Sequence, residues 1–293
     1  MWEGSKISIY CALITYKNSK YLDPNKQHLE FKKLIEFLDI KHYFIHDKDV
    51  TEYDKESIFV TNEFLSVLIL AKSLLQTQLR ILWKSKLRNF PLFFYHSFTA
   101  IYSIFYIIVK LLVSIAFPAK FVGYRLMIAR QHNISEAHIN LLLNSLNSNC
   151  EFSLILEDDF KVNNNFNIKE CLSTLLDYMQ SNTQTLIMSV SESFNPKLLG
   201  FKYISTCKSI NGIDFYSLHT PITNTVSAML YKTEILTLLI PLLESYRRYK
   251  IIPIDIKLNM ALGELSKIDS KKLQILGYAY PGFFIQGSIH EKS

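Results

Sequence analysis

A long apolar segment in the middle of the chain restricts its folding more than any other sequence feature. Leu92–Phe117 is almost entirely apolar and aromatic; His96 and Lys110 are its only basic residues, and it has no acidic residue. A run of this length could span a bilayer, which needs roughly 20 apolar residues. Two other interpretations stand beside this one. The segment could be a buried helix, which Lys110 favours, or part of a helical hairpin that lies on a membrane.

The preceding segment, Asn62–Arg88, favours the hairpin. It is rich in Leu and Ile but carries several basic residues, namely Lys72, Arg80, Lys84, Lys86 and Arg88, and Asn89-Phe90-Pro91 separates it from the apolar run. If the strands before and after the hairpin share one sheet, both of its ends lie on the same side of a membrane. A single crossing is then excluded, and the basic residues argue against two crossings. We therefore expect residues 61–120 to form an inserted apolar and basic hairpin.

Strand and helix patterns alternate on both sides of this insertion. Ile7–Tyr16 reads as a buried strand, Lys26–Leu38 has apolar residues at helical spacing, and Lys41–Ile45 reads as a second strand. The later expected strands are Phe152–Leu156, Thr185–Val190 and Thr225–Tyr231, and the later expected helices are Ile134–Leu146 with Ser135 as its cap, Ile168–Met179, Thr233–Tyr246 and one that begins at Pro253. This alternation predicts an α/β fold with a mostly parallel sheet flanked by helices.

Composition excludes several classes of protein. The chain has 293 residues, 49% of them hydrophobic and 20% charged, which excludes a disordered polyelectrolyte. The formal net charge is only +6, and no dense basic run indicates a nucleic-acid partner. A mild positive charge suits an anionic membrane surface or an anionic nucleotide. The 4 cysteines form no CxxC pair, so we expect reduced thiols buried in the core.

The strongest chemical signal is an acidic triplet at the end of a predicted strand. Glu157, Asp158 and Asp159 follow the apolar run Phe152–Leu156 with no basic residue between them. Like charges this close repel, and a cation can hold them together. Carboxylate oxygens suit Mg²⁺ or Mn²⁺, and open α/β sheets bind ligands at the ends of their strands. A solvated acidic turn is the alternative interpretation.

This part of the sequence resembles glycosyltransferase family 25. The resemblance begins with Ser135–Phe160, where a helix start carrying Ser and His leads through a strand into Glu-Asp-Asp. Three later segments match in order: Thr225–Leu239, Pro253-Ile254-Asp255 and Pro281–Ser288. There are departures, since two residues separate Ser135 from His138 and Arg130-Gln131-His132 replaces the usual Gly-Glu. In place of Arg-rich donor contacts the first strand is followed by Tyr16, Lys17, Asn18 and Lys20.

The resemblance implies a GT-A-like, Rossmann-type fold and a nucleotide-sugar donor, with a UDP-sugar as the first candidate. It also implies a divalent metal, Mn²⁺ or Mg²⁺, and inversion at the anomeric carbon. Residues 1–60 would be the nucleotide-binding first part of the catalytic domain, and residues 121–293 its remainder. The insertion at 61–120 has no counterpart in the family.

Candidate roles follow from the residues and the resemblance together. The expected metal ligands are Glu157, Asp158, Asp159 and His290; the expected nucleotide contacts are Thr15, Asp47, Asp49 and Asp158; and the candidate general bases are Asp255 and Glu264. Each has a plainer alternative: Asp255 could cap a helix, His290 could belong to a tail, and Asp47-Lys48-Asp49 could be a solvated turn. The isolated histidines, His28, His42 and His219, are expected to be structural.

We therefore expect a metal-dependent glycosyltransferase that acts on a glycan or lipid-linked acceptor, as in lipopolysaccharide or other cell-surface glycan synthesis. Its expected location is the cytoplasm, attached peripherally or monotopically to the inner face of the membrane. Two alternatives remain. The chain could be a membrane-associated, catalytically inactive transferase-like binding protein, or another metal-dependent transferase that uses a nucleotide.

Overall fold

Short apolar runs form most of the strands, because β-branched and aromatic side chains suit a buried pleated surface. The structure is a computed structural model that describes residues 8–16, 19–23, 25, 27–46, 63–84, 90–117, 120, 122–181, 186–191, 209–210, 212–217, 226–268 and 276–286. The strands are β1 (Ile9–Ile14), β2 (His42–His46), β3 (Phe152–Glu157), β4 (Phe160–Val162), β5 (Ile187–Ser189), β6 (Ser209–Ile210), β7 (Ile213–Ser217), β8 (Ala228–Lys232), β9 (Leu276–Tyr280) and β10 (Phe284–Gln286). The helices are α1 (Leu29–Leu38), α2 (Glu63–Lys84), α3 (Phe90–Ala116), α4 (Val122–Leu146), α5 (Ile168–Ser181), α6 (Thr233–Tyr246) and α7 (Ile254–Ile268).

The main sheet of the described residues has 8 strands in the order β2-β1-β3-β8-β5-β9-β7-β6. The pairs β1–β2, β1–β3 and β5–β9 are parallel. β8 runs antiparallel between β3 and β5, and β7 runs antiparallel to both β9 and β6. All strands of this sheet except β7 and β8 therefore share one direction, and the predicted α/β architecture with a mostly parallel sheet is confirmed.

Two apolar cores lie on opposite faces of this sheet. Tyr10, Ala12 and Ile14 of β1 belong to the core beneath α4, α6 and α7. Cys11 and Leu13 belong to the core beneath α1 and α5. A strand that is covered on both faces needs an apolar residue at nearly every position, so the buried strands appear in the sequence as uninterrupted apolar runs. The three described cysteines, Cys11, Cys150 and Cys171, are buried thiols, as predicted, and Cys207 lies outside the described residues.

Helix α4 is longer than the sequence pattern predicted. It begins at Val122, about three turns before the expected start at Ile134. Ile128 and Ala129 are buried in the core beneath this helix, so tertiary packing stabilises the additional turns. Ser135 is consequently a buried residue inside the helix, and its prediction as a helix cap is wrong.

Within the predicted insertion the structure describes two helices, α2 and α3, and this helix pair, the hairpin, packs against the α/β domain. α2 and α3 contact each other, α2 contacts α7, and α3 contacts α4. Val67, Leu70 and Leu111 on the inner side are buried, so the hairpin is partly embedded in the core. β2 and β3, which precede and follow it, lie in the same sheet, as the topological argument required. Within the described ranges, no helix combines the length and the apolar character needed to cross a membrane.

The outer side of the hairpin leaves a stripe of large apolar side chains in solvent. On α3 these residues recur at helical spacing, and Phe98 is 71% exposed. The members of this stripe are Phe98, Ile101, Tyr102, Phe105, Tyr106, Val109 and Leu112. The alternative in which this segment is a fully buried helix is therefore wrong for α3.

A second, two-stranded sheet lies next to the acidic triplet. β4 pairs antiparallel with β10, and Gln286 stands opposite Phe160 in the register. The peptide amide of Asn163 also donates to the carbonyl of Phe283. The chain segment that begins at Pro281 is thereby brought beside the segment that follows Asp159.

Candidate functional site

The candidate site lies where β1, β2 and β3 end at the same edge of the sheet. Ile14, the last residue of β1, is paired with both His46 and Glu157 in the parallel register. Thr15 continues this alignment, and its amide donates to the carbonyl of His46 at 2.8 Å. Parallel strands expose their following residues at one edge, so Thr15 and the acidic triplet are neighbours although they are far apart in sequence.

A cleft of about 330 Å³ opens at this edge. Its lining includes four of the predicted site residues: Thr15, Glu157, Asp158 and Asp159. The other polar or charged residues in its lining are Tyr16, Lys20, Tyr21, His46, Arg130 and Asn133. The predicted residues Asp47, Asp49 and His290 lie outside the described residues.

Asp158 is held by groups from two other parts of the chain. The hydroxyl of Ser19 donates to its carboxylate, and its backbone carbonyl accepts a hydrogen bond from His28 Nε2 at 2.7 Å. Burial raises the pKa of Asp158 above its ordinary value, and the adjacent charges of Asp159 and Glu157 act in the same direction, against the hydrogen bond from Ser19. This carboxylate would be stabilised in its ionised form by a cation in the cleft.

His28 has a structural role, as predicted for an isolated histidine. Its Nδ1 accepts a hydrogen bond from the amide of Phe31 at 3.1 Å, which caps the first turn of α1. Because Nδ1 is an acceptor, Nε2 carries the proton and donates to Asp158. The ring also stacks on Phe160, with 5.2 Å between the ring centroids. His28 therefore couples the start of α1 to the position of the acidic turn.

His138, a residue of α4, lies beside Glu157. Its side chain is fully buried, and its Nε2 is 3.8 Å from Glu157 Oε1. Within the described residues neither ring nitrogen makes a hydrogen bond. The distance is longer than a direct hydrogen bond, but it places a polar ring against the carboxylate inside the protein. Ser135, one turn earlier, is also fully buried. The structure thus brings His138 next to the acidic triplet.

Two cation–aromatic pairs also line the cleft. Arg130 lies over the Tyr16 ring at 5.5 Å from its centroid, and Lys20 lies over the Tyr21 ring at 5.0 Å. Such pairs are mutually stabilising and also present cations and flat apolar surfaces to a ligand. The cleft therefore combines three acidic side chains with two basic ones and two aromatic rings.

Arg130 was not identified as a site residue from the sequence. Arg130, Asn133, Ile134 and Ala137 all line the cleft, at positions i, i+3, i+4 and i+7 of α4. This spacing is typical of one helical face. A helix predicted to begin at Ile134 could not place Arg130 on that face, so the error in the start of α4 concealed the residue.

Asp255 lies in the first turn of α7, near the acidic triplet. It is partly buried, and its carboxylate accepts a hydrogen bond from the amide of Ile256 at 2.9 Å. Burial raises its pKa to about 6, and the charge of Glu157 contributes in the same direction. The two carboxylates are therefore close enough to interact. Asp255 also suits the helix N-terminus electrostatically, so the expected capping role and a catalytic role are compatible.

Glu264 lies in a different place. It is nine residues after Asp255 on α7, which is about 13 Å along the helix axis. Its carboxylate accepts a hydrogen bond from the hydroxyl of Tyr246, and it lines a second cleft. Asp255 is close enough to Glu157 for their charges to interact, although it does not line the first cleft, whereas Glu264 lies further along α7.

The donor set fits a shared metal ion better than a closed protein cage. Among the described side chains, no group of three or more His, Cys, Asp or Glu residues is arranged to hold a metal. Mg²⁺ commonly binds one or two carboxylates and completes its shell with water and substrate phosphates. Asp158 and Asp159, at the surface of a cleft that also contains basic residues, match that pattern.

Comparisons with other proteins add no assignment. No protein-family model and no curated protein matches this chain.

Proposed function

We propose that this protein is a glycosyltransferase of GT-A-like fold that moves a sugar from a nucleotide-sugar donor to a hydroxyl of a glycan acceptor. The observation that carries the proposal is the cleft at the carboxyl ends of β1 and β3. It places acidic, basic and aromatic side chains within one space of about 330 Å³. The ordered resemblance to glycosyltransferase family 25 supports the same conclusion.

The lining of the cleft suits a nucleoside diphosphate. Lys20 and Arg130 can bind phosphate oxygens, and Arg130 offers the planar fork that matches them. Tyr16 and Tyr21 offer ring faces for the nucleobase. Mn²⁺ or Mg²⁺, held by Asp158 and Asp159, would neutralise charge on the leaving diphosphate. The UDP-sugars are the first donors to test.

Asp255 is the proposed general base. In the transfer step the acceptor hydroxyl oxygen forms a bond to the anomeric carbon, and the bond from that carbon to the phosphate oxygen breaks. The nucleoside diphosphate leaves with the electron pair, and the hydroxyl proton passes to the Asp255 carboxylate. A base with a pKa near 6 is ionised at neutral pH and still basic enough to accept a proton. Inversion at the anomeric carbon follows from the family resemblance.

The exposed apolar stripe on α3 supports attachment to a membrane surface. Tyr and Phe residues within it, such as Tyr102 and Phe105, suit the boundary between headgroups and acyl chains. Lys110 Nζ lies 5.4 Å from the Tyr106 ring centroid and 4.9 Å from that of Tyr124, so its charge is kept at the rim of the apolar surface. An acceptor in lipopolysaccharide or another lipid-linked glycan would be presented at such a surface. The catalytic domain would face the cytosol, where nucleotide sugars are made.

A donor screen tests the proposed function directly. The full chain is incubated with Mn²⁺ and a panel of nucleotide sugars, and release of the nucleoside diphosphate is measured. We expect hydrolysis of at least one donor and metal-dependent binding of its nucleoside diphosphate. Binding without hydrolysis or transfer would favour the alternative of an inactive transferase-like protein. Turnover of a nucleotide substrate that carries no sugar would favour another nucleotide-using transferase. The absence of nucleotide binding would reject the proposal.

A further inference from the structure

A second cleft lies between the inserted hairpin and the α/β domain. Its volume is about 290 Å³, and its walls come from α2, α7 and the end of α6. The α2 wall includes Lys72, Ser73 and Gln76, so the insertion supplies one complete side of the cleft. A chain without the hairpin would leave this face of α7 open.

The polar groups of this cleft suit a saccharide that carries an acidic group. Lys72 and Lys267 contribute two positive charges from different helices. The one acidic residue in the lining, Glu264, accepts a hydrogen bond from Tyr246, which anchors its carboxylate. The lining is therefore basic by one net charge.

The second cleft also contains groups that can hydrogen-bond the hydroxyls of a sugar. Gln76, which is exposed, presents an amide that can both donate and accept hydrogen bonds. Tyr249 contributes a ring that is stacked with Tyr246 at 6.5 Å between centroids. This stack, with Arg248 over the Tyr249 ring at 4.9 Å from its centroid, forms a fixed aromatic wall of the cleft, and the Gln76 amide beside it can hydrogen-bond a sugar hydroxyl.

Helix α7 connects this cleft to the proposed transfer site. Asp255 is in its first turn, and Asn259, one turn further along the same side, lines the second cleft. Gly263 continues the lining about 12 Å from Asp255 along the helix axis, a span that a short oligosaccharide covers. An acceptor whose reactive hydroxyl lies at Asp255 would therefore need to extend about 12 Å along this side of α7 to reach the second cleft.

We infer that the second cleft is an acceptor subsite that binds an acidic sugar residue distant from the hydroxyl that receives the donor sugar. This inference rests on the proposed glycosyltransferase function. It assigns the hairpin a role in acceptor choice in addition to any contact with a membrane.

The test measures saccharide binding separately from nucleotide binding. Saturation-transfer NMR on the full chain uses trigalacturonic acid and sialyllactose as acidic probes and maltotriose as the neutral one. The variants are Lys72→Ala/Lys267→Ala, in which both replaced side chains are exposed, and Lys32→Ala on α1 as the matched control. UDP binding with Mn²⁺ is measured on the same samples by calorimetry, and circular dichroism verifies folding.

We expect at least one acidic trisaccharide to bind, at least fivefold more tightly than maltotriose. The double variant should weaken that binding tenfold or more and leave UDP binding unchanged, whereas Lys32→Ala should change neither. UDP binding without binding of an acidic trisaccharide, or equal binding by the double variant, would overturn the subsite and leave the proposed function standing. Trisaccharide binding without UDP binding would overturn the acceptor role together with the proposed function.

Discussion

The two clefts of this protein are similar in volume but differ in charge and in origin. The first, about 330 Å³, has three acidic and two basic residues in its lining, and the second, about 290 Å³, has two lysines and one glutamate. Strand ends and one helix of the α/β domain form the first, whereas the second needs the inserted hairpin. We therefore expect the two clefts to bind different ligands. On the proposed function, a bound divalent cation would make the first cleft attractive to a diphosphate, and the second would attract an acidic group without one.

The largest expected effect follows from removing one acidic group from the first cleft. Asp159→Asn should reduce the rate of sugar transfer by about 1,000-fold or more, because a cation on this turn loses a charged ligand. The change preserves side-chain volume at a residue that is only 8% exposed, so the fold should be retained. Asp177→Asn on the exposed side of α5 is the matched control. Nucleoside diphosphate release and circular dichroism are the measurements; near-normal transfer by folded Asp159→Asn would contradict the assignment.

Asp255→Asn should separate chemistry from nucleotide binding. We expect kcat to fall by roughly 100-fold or more, because the variant cannot accept the hydroxyl proton. Affinity for the nucleoside diphosphate should stay nearly constant. In the wild-type protein the acidic limb of kcat/KM should lie at or below pH 6, because a bound cation opposes the effect of Glu157, and the variant should lose this limb. A collapse of metal affinity would instead make Asp255 a ligand.

Arg130→Ala should cause a smaller loss, which affects the affinity of the first cleft for UDP. A charge-assisted hydrogen bond contributes about 1.5–3 kcal/mol, so UDP affinity should fall by about 10- to 100-fold. Arg130→Lys should recover only part of this affinity, because it restores the charge without the planar fork. Calorimetric titration with UDP and Mn²⁺ gives both values. Equal affinity of wild type and Arg130→Ala would remove Arg130 from the donor site.

Replacing the apolar stripe tests whether the hairpin has an outer role as well as an inner one. Phe98→Ser/Ile101→Ser/Phe105→Ser should reduce binding to vesicles that contain anionic lipid by about tenfold or more, because three exposed apolar groups are lost. Leu29→Ser/Phe37→Ser/Leu238→Ser is the matched control, since these side chains are exposed outside the hairpin. Sedimentation with vesicles is the measurement. Equal binding by both triple variants would reject a membrane role for α3.

The smallest expected effect is on stability. Folding raises the pKa of Asp255 from 3.8 to about 6, so its ionised form opposes folding. This cost is complete above pH 6, decreases as the group is protonated and disappears below about pH 4. Asp255→Asn should therefore raise the free energy of unfolding at pH 7.5 by about 1 kcal/mol, because partial exposure limits the effect. Denaturant unfolding should show no gain at pH 4; a loss of stability at pH 7.5 would indicate a structural role.

The sequence by itself determined the α/β class, the buried strands and the acidic turn at the end of β3. The strands were predictable because a strand covered on both faces must be apolar throughout. The acidic turn was predictable because the mutual repulsion of three consecutive carboxylates depends on residues that are adjacent in the chain. The helix pair of the insertion was predictable because both ends of an apolar segment between strands of one sheet must lie on the same side of any membrane, so the segment has to turn back on itself.

Only the tertiary structure decided which distant residues share a cleft. Arg130 reaches the acidic turn because packing of Ile128 and Ala129 extends α4. Asp255 and Glu264 were both candidate bases in sequence, with Asp255 favoured by the family resemblance, and a helical rise of about 1.5 Å per residue places only Glu264 at the second cleft. β8 lies antiparallel between β3 and β5, and no local pattern specifies that pairing. Strand order, helix docking and cleft formation depend on contacts between residues that are far apart in the chain, and periodicity within one segment carries no information about them.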